Sequence, residues 1–257
     1  DSAIVERKLQ GNGMIVLITD FGARDPYAGQ VKARIHALAP AQQVIDLLHE
    51  VPDFNAHAAA HLVAAFAPGF PPGTVFMCVV DPGVGTERDG VVLSAGGHWF
   101  VGPDNGLLSV VAARNRDSRV WRIDWQPENA SATFHGRDIF AVIAALIAKG
   151  EFPGDKLEAK PGLHVEFDAG DLARVIYIDH YGNAWTGLRA ASVPPSTRIV
   201  ARGAEFQNAD TFGAVGKGEG FWFGNSAGLL ELAVNRGSAA DKLGLKVGDS
   251  IQVFKPN

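Results

Sequence analysis

Four short polar clusters hold the side chains able to do chemistry. They are Thr19-Asp20-Phe21-Gly22 with Asp25 and Tyr27 close behind, Asp81 with Arg88 seven positions later, Thr133-Phe134-His135-Gly136-Arg137-Asp138, and Asp179-His180-Tyr181-Gly182-Asn183. Asp81 follows an apolar run (residues 74–80, TVFMCVV) and opens Asp81-Pro82-Gly83-Val84-Gly85. Proline fixes φ there and the glycines permit positive φ, so the backbone can pass close to a ligand. The first two clusters stand at the carboxyl ends of apolar runs, the place where open α/β sheets bind ligands. His135 and Gly136 precede an apolar helical stretch, where backbone N–H groups and the helix dipole favour an anion or a lone pair. Taken singly, each has an ordinary alternative. Asp-Pro-Gly is common in α/β loops, and His135 alone reads equally well as a helix-flanking residue with no task.

Other chemistries find less support. His57 and His61 are four apart on one helical face, but HAAAH lacks the glutamate of the zinc-protease signature, so no metal is expected. There is no Walker lysine loop, and Gly83-Val84-Gly85 lacks the third glycine of a dinucleotide fingerprint. Cys78 is the only cysteine and lies inside an apolar run, which predicts a buried, inert thiol and suits a reducing compartment. The net charge of −5, with no run of like charge, argues against a nucleic-acid partner. No apolar stretch approaches the roughly 18 residues that span a bilayer. Residues 1–13 lack the charged-then-apolar order of a secretion signal and read as a loose leader. Together these features predict a cytoplasmic protein with neither a membrane nor a nucleic-acid partner.

The elements that must position the clusters follow from periodicity. Residues 14–20, 44–47, 74–80, 91–94 and 99–101 read as short strands, and 27–38, 53–66, 107–113 and 139–148 as helices, with Asp53 as an N-cap. This alternation predicts a doubly wound α/β layer up to about residue 155. Residues 149–173 are rich in Gly, Pro and charge and read as a connection. Beyond it, 175–179, 198–201, 214–215, 220–223 and 250–254 read as strands, with one further helix at 229–235, giving a small antiparallel β-barrel or sandwich.

Six phrases in register, ITDFG with DPYAGQVKA, FPPGTVFMCVVDPGVGTERDG, FVGPDNGLLS, TFHGRDIFA, IDHYGNAWT and NSAGLLELAVNRGSAA, resemble the S-adenosylmethionine (SAM) hydroxide adenosyltransferase family, hydrolase relatives of the SAM-dependent fluorinase and chlorinase. The resemblance runs from Met14 to the C-terminus. It implies an N-terminal Rossmann-like α/β domain (14–160) and a C-terminal antiparallel β-barrel domain (170–257). It further implies a homotrimer that binds SAM between the N-terminal domain of one subunit and the C-terminal domain of the next. The family's catalytic triad falls on Asp81, Arg88 and His135. Asp20 would hold the ribose hydroxyls, Asp179 and Ser226 the methionine end, and Tyr181 and Asn183 the adenine, with Phe21 and Glu231 completing the binding set. Ala227 stands where the halogenases carry an arginine after the serine.

The implied reaction gives adenosine and L-methionine. Because the sulfonium already activates C5′, SAM is the substrate and neither cofactor nor metal is needed. Water is a poor nucleophile, so a triad that orients it suits the task, with His135 as proton acceptor and Arg88 as electrostatic partner. A halogenase would instead desolvate a halide and favour small hydroxyl donors. A non-catalytic SAM or adenosine binding module could dispense with the triad.

Overall fold

The computed structural model describes residues 13–255, so the expected leader lies, apart from Gly13, outside the described residues. The chain divides into two compact units, the first ending at Ala169 and the second beginning at Gly170. The first is a mixed seven-stranded sheet: β1 (Met14–Thr19), β2 (Gln43–Leu48), β3 (Val75–Val79), β4 (Gly90–Ala95), β5 (His98–Pro103), β6 (Arg119–Ile123) and β7 (Leu157–Lys160), in the spatial order β2-β1-β3-β5-β4-β6-β7. Strands β2, β1, β3 and β5 pair in parallel, whereas β4, β6 and β7 add by antiparallel pairing.

The apolar runs of β1 and β3 do not alternate because both faces of the sheet are covered. Helix α1 (Tyr27–Leu38) packs with a helix that begins as a π-helical turn (Gly136–Phe140) and continues as α4 (Ala141–Ala148). Val31, Ile35, Ile143 and Ile147 from this pair share one core with Ile15, Leu17, Val75 and Met77. Helices α2 (Ala56–Phe66) and α3 (Ser109–Ala113) pack together in turn. Cys78 is fully buried and burial pushes its thiol pKa up, which makes it a poor nucleophile. Among the described residues no helix is long and apolar enough to cross a membrane.

The second unit is also seven-stranded: β8 (Leu172–Ile178), β9 (Ala184–Arg189), β10 (Arg198–Ala201), β11 (Ala204–Asn208), β12 (Gly220–Gly224), β13 (Leu229–Val234) and β14 (Gln252–Phe254), in the order β14-β10-β11-β12-β13-β9-β8. All pairs are antiparallel except β11–β12. The sheet curls into a half-barrel, and its edges approach where Val175 N–H donates to Asp249 O (2.9 Å) and Ile251 N–H donates to Ala173 O (3.0 Å). A short helix, α5 (Ala239–Leu243), follows β13, capped by the Ser238 hydroxyl accepting from Asp241 N–H at 2.9 Å.

Several sequence expectations need correction. The helix expected at 229–235 is instead β13 (Leu229–Val234): Leu-Leu-Glu-Leu-Ala-Val favours a helix locally, but burial on both faces between β12 and β9 overrides that preference. Residues 214–215 are not a strand; Ala214 closes a 3₁₀ turn (Phe212–Ala214). The connection at 149–173 contains β7, an edge strand whose charged side chains hide its pairing with β6. Helix α2 is capped by Asn55, whose side-chain oxygen accepts from Ala58 N–H at 3.0 Å, and not by Asp53. The difference leaves Phe54 outside the helix with φ +58.

Candidate active site

Asp81, Arg88 and His135 lie on three different segments and meet. Asp81 follows β3, Arg88 sits at the end of the turn leading into β4, and His135 caps the π-helical turn ahead of α4. Arg88 Nε donates to Asp81 Oδ1 at 2.8 Å and its Nη2 donates to Asp81 Oδ2, a bidentate fork between side chains only 12% and 6% exposed. The Phe140 ring lies 5.3 Å from the Arg88 guanidinium carbon, a cation–π contact. Arg88 Nη2 also reaches His135 Nδ1 at 3.3 Å. A guanidinium can only donate, so Nδ1 accepts and the neutral imidazole carries its proton on Nε2. The loops close tightly: Gly85 has φ +78, and a Cβ there would stand 2.5 Å from the Ala132 carbonyl oxygen.

Burial, reinforced by the Arg88 charge, lowers the His135 pKa against the opposing pull of Asp81 and Asp138. The ring is therefore neutral at pH 7 and stays so below its ordinary value of 6.5. In the window just below 6.5 the unfolded chain binds a proton that the folded chain refuses, so this group's contribution to stability falls as pH falls. For activity the expected outcome is a kcat/KM profile flat across neutrality, with an acid limb below pH 6.5 that disappears in His135→Gln. An acid limb above 6.5 would contradict a neutral His135.

Asp81 and His135 border a cavity of about 490 Å³. Asp20, Phe21, Phe54, Asp81, Phe134 and His135 are among its walls, while Arg88 stands behind Asp81. Asp20 lies just past β1, where its Oδ2 accepts from Phe54 N–H at 3.2 Å; burial raises its pKa. Phe21, Tyr27 and Phe134 pack edge-on and tilted with centroids 5.6 to 6.0 Å apart, an apolar wall suited to a flat ligand. A larger cavity of about 820 Å³, bordered by Ala112, Trp121, Phe152 and Phe167, contains none of the expected site residues. The convergent polar groups are at the smaller cavity, which makes it the candidate site.

The second unit gathers its own cluster. Asp179 Oδ1 accepts from Tyr181 N–H and Asn183 N–H, both at 2.9 Å, and Gly182 turns the chain with φ +77. Glu231 on β13 is 4% exposed, and its carboxylate accepts from Asn225 Nδ2 at 3.1 Å. Burial raises the Glu231 pKa, with Asp179 adding repulsion and Asn225 and Asn183 opposing. Tyr181 is 74% exposed. Ser226 occupies the tight turn between β12 and β13, held by Asn225 Oδ1, which accepts from Ala227 N–H and Leu229 N–H. Gly224-Asn225-Ser226-Ala227-Gly228 has the spacing of a serine nucleophile elbow, but it joins two antiparallel strands rather than a strand and a helix.

The chain has counterparts among known proteins. Residues 15–157 match the model of the SAM hydroxide adenosyltransferase N-terminal domain and residues 173–252 that of its C-terminal domain. The chain belongs to the SAM hydroxide adenosyltransferase family. A relative from Thermus thermophilus named (R)-S-adenosyl-L-methionine hydrolase is 37% identical, over 93% of this chain and 99% of that protein. A fluorinase from Actinopolyspora mzabensis is more distant, at 27% identity over 94% and 97% of the two chains. The crystal structure of a conserved protein from Thermotoga maritima superposes with a TM-score of 0.85 at 35% identity, covering 94% of this chain and 100% of the other.

Several residues that shape these clusters were not among those the sequence singled out. Phe54 lines the cavity, Phe140 lies under Arg88, and Asn225 holds Glu231. Phe140 and Asn225 stand inside the family phrases close to His135 and Ser226, and that adjacency is the signal the sequence offers. Among the described residues, no group of three or more His, Cys, Asp or Glu side chains is arranged to hold a metal ion.

Proposed function

We infer that this chain hydrolyses SAM at C5′ of the ribose, giving adenosine and L-methionine. The observation that carries the reading is the Asp81–Arg88–His135 chain, whose two ends border a cavity that the Asp20 carboxylate also lines. Its relatives named (R)-S-adenosyl-L-methionine hydrolase support it at 36 to 38% identity, well above the fluorinases.

In this reading the C5′–O bond forms as the C5′–S bond breaks, methionine leaves as a neutral thioether and one proton is released. No cofactor enters and no metal is required, since the sulfonium supplies the activation. Asp81 has both oxygens engaged by Arg88 and so acts by anchoring the guanidinium. Arg88 places positive charge beside the water and favours loss of its proton. His135 Nδ1 is occupied by Arg88, so in the resting enzyme the ring offers water its Nε2–H and orients it. Acceptance of a proton at Nδ1 requires the Arg88 contact to open during turnover.

Asp20 takes the ribose hydroxyls, with Phe21 beside it in the aromatic wall. Asp179 and Ser226 take the methionine end, Tyr181 and Asn183 the adenine, and Glu231 supports Asn183. We further propose that the first unit is a Rossmann-like domain, that the second is a β-barrel, and that the enzyme is a cytoplasmic homotrimer whose sites each use the N-terminal unit of one subunit and the C-terminal unit of the next. The halogenase alternative fits less well, because a halide site favours small hydroxyl donors over a charged triad. Incubation with SAM, with and without chloride, followed by chromatography separates the readings. Equimolar adenosine and methionine are expected under both conditions. Appearance of 5′-chloro-5′-deoxyadenosine, or no turnover with SAM bound, would overturn the hydrolase assignment.

A further inference from the structure

Behind the turn that carries Asp20 and Phe21 runs a chain of polar contacts with no part in the triad. Thr19, fully buried at the end of β1, has its Oγ1 2.7 Å from Nδ1 of His49, which is 9% exposed just past β2. His49 Nε2 lies 3.0 Å from Asp46 Oδ1, and Lys32 Nζ on α1 donates to Asp46 Oδ2 at 2.7 Å. At the other end Phe21 N–H donates to Thr19 Oγ1 at 3.2 Å. A carboxylate only accepts, so His49 donates to Asp46 through Nε2–H; with the ring's single proton there, Nδ1 accepts the Thr19 O–H while Thr19 accepts from Phe21. The backbone adds two ties to the same turn: Gly22 N–H donates to His49 O at 2.7 Å and Val51 N–H donates to Thr19 O at 3.2 Å.

The residue between the two tethered positions is Asp20. Its carboxylate accepts from Phe54 N–H, and the backbone that carries it is the Thr19–Phe21 turn. We propose that His49, held by Asp46 and Lys32, is a positioning residue that acts through the Thr19 hydroxyl to aim the Asp20 carboxylate and the Phe21 ring into the cavity. The shift in register between β1 and β2, where Leu17 pairs with Asp46 and Ile18 with Leu48, brings these groups within reach of one another. The inference rests on the proposal that Asp20 receives the ribose hydroxyls, and it predicts that discrimination at those hydroxyls depends on residues that never touch the ligand.

The test compares binding of adenosine and 2′-deoxyadenosine to the full-length protein by calorimetry. Loss of a hydrogen bond to a carboxylate should cost the wild type about tenfold or more in affinity for the deoxy compound. Thr19→Val and His49→Leu should bring that ratio close to one, with the loss falling on adenosine. Thr19→Ser, which keeps the hydroxyl, and His49→Asn, which keeps an acceptor near the Nδ1 position, should largely restore it. Because Thr19 is buried and its variants can lose stability, Asp46→Asn at the partly exposed outer end serves as a second probe and should give an intermediate ratio at an unchanged Tm. If the wild type and Asp20→Asn show the expected difference but Thr19→Val, His49→Leu and Asp46→Asn all keep the wild-type ratio, the positioning role is wrong while the ribose role of Asp20 stands. If the wild type binds both nucleosides equally, the ribose role itself fails and the positioning role falls with it.

Discussion

Replacing His135 with alanine is expected to lower kcat for SAM hydrolysis by about two orders of magnitude or more, with SAM affinity held within a few-fold. The ring borders the cavity yet is tied to the protein through Arg88 alone among the side-chain contacts described, so its removal deletes an orienting group without emptying a core. Arg88→Ala should lower kcat at least as far, but it also strands the buried Asp81 carboxylate. Removing one partner of a buried pair costs about 3 to 5 kcal/mol of stability. Arg88→Lys is therefore the cleaner companion: it keeps the charge and loses the bidentate fork. Turnover near the wild-type value in both His135→Ala and Arg88→Lys, with Tm and SAM affinity unchanged, would remove the triad from the mechanism.

The second large effect is a gain. Asp20→Ala and Asp179→Ala should each be inactive, because the proposed site takes the ribose group from the first unit and the methionine group from the second. If those units come from neighbouring subunits of a trimer, mixing the two inactive proteins under subunit exchange regenerates sites in which both residues are native. Activity of the mixture should rise well above the sum of the parents and track the extent of exchange measured by native mass spectrometry. SAM or adenosine should also raise the Tm and suppress dissociation, since a ligand that bridges subunits stabilises the assembly by mass action. Confirmed exchange with no returning activity would place the whole site within one chain.

Much of this was legible before any coordinates. Uninterrupted apolar runs such as residues 14–19 and 75–79 mark strands covered on both faces, and both are central parallel strands. The glycine-rich turn after residue 80 marked the place where Asp81 and Arg88 meet. What stayed hidden is what depends on distant partners. Residues 229–234 are helix-like in isolation and become β13 only because β12 and β9 flank them. The charged edge strand β7 shows no apolar signal because it has a neighbour on one side alone. With Asp53 as the helix cap Phe54 would fall inside the helix; the Asn55 cap leaves it free to line the cavity. The link from Thr19 to His49 joins positions 30 apart that only the pairing of β1 with β2 brings together.

The central claim is that water attacks C5′ and that the C5′–S bond is the one broken. It is tested most directly by turning over SAM in ¹⁸O-enriched water, in the presence of a chelator, and reading the products by mass spectrometry. Hydrolysis at C5′ gives adenosine carrying one ¹⁸O at the 5′-hydroxyl, formed in step with unlabelled methionine and undiminished by the chelator. Unlabelled adenosine, or cleavage to 5′-methylthioadenosine, would contradict it.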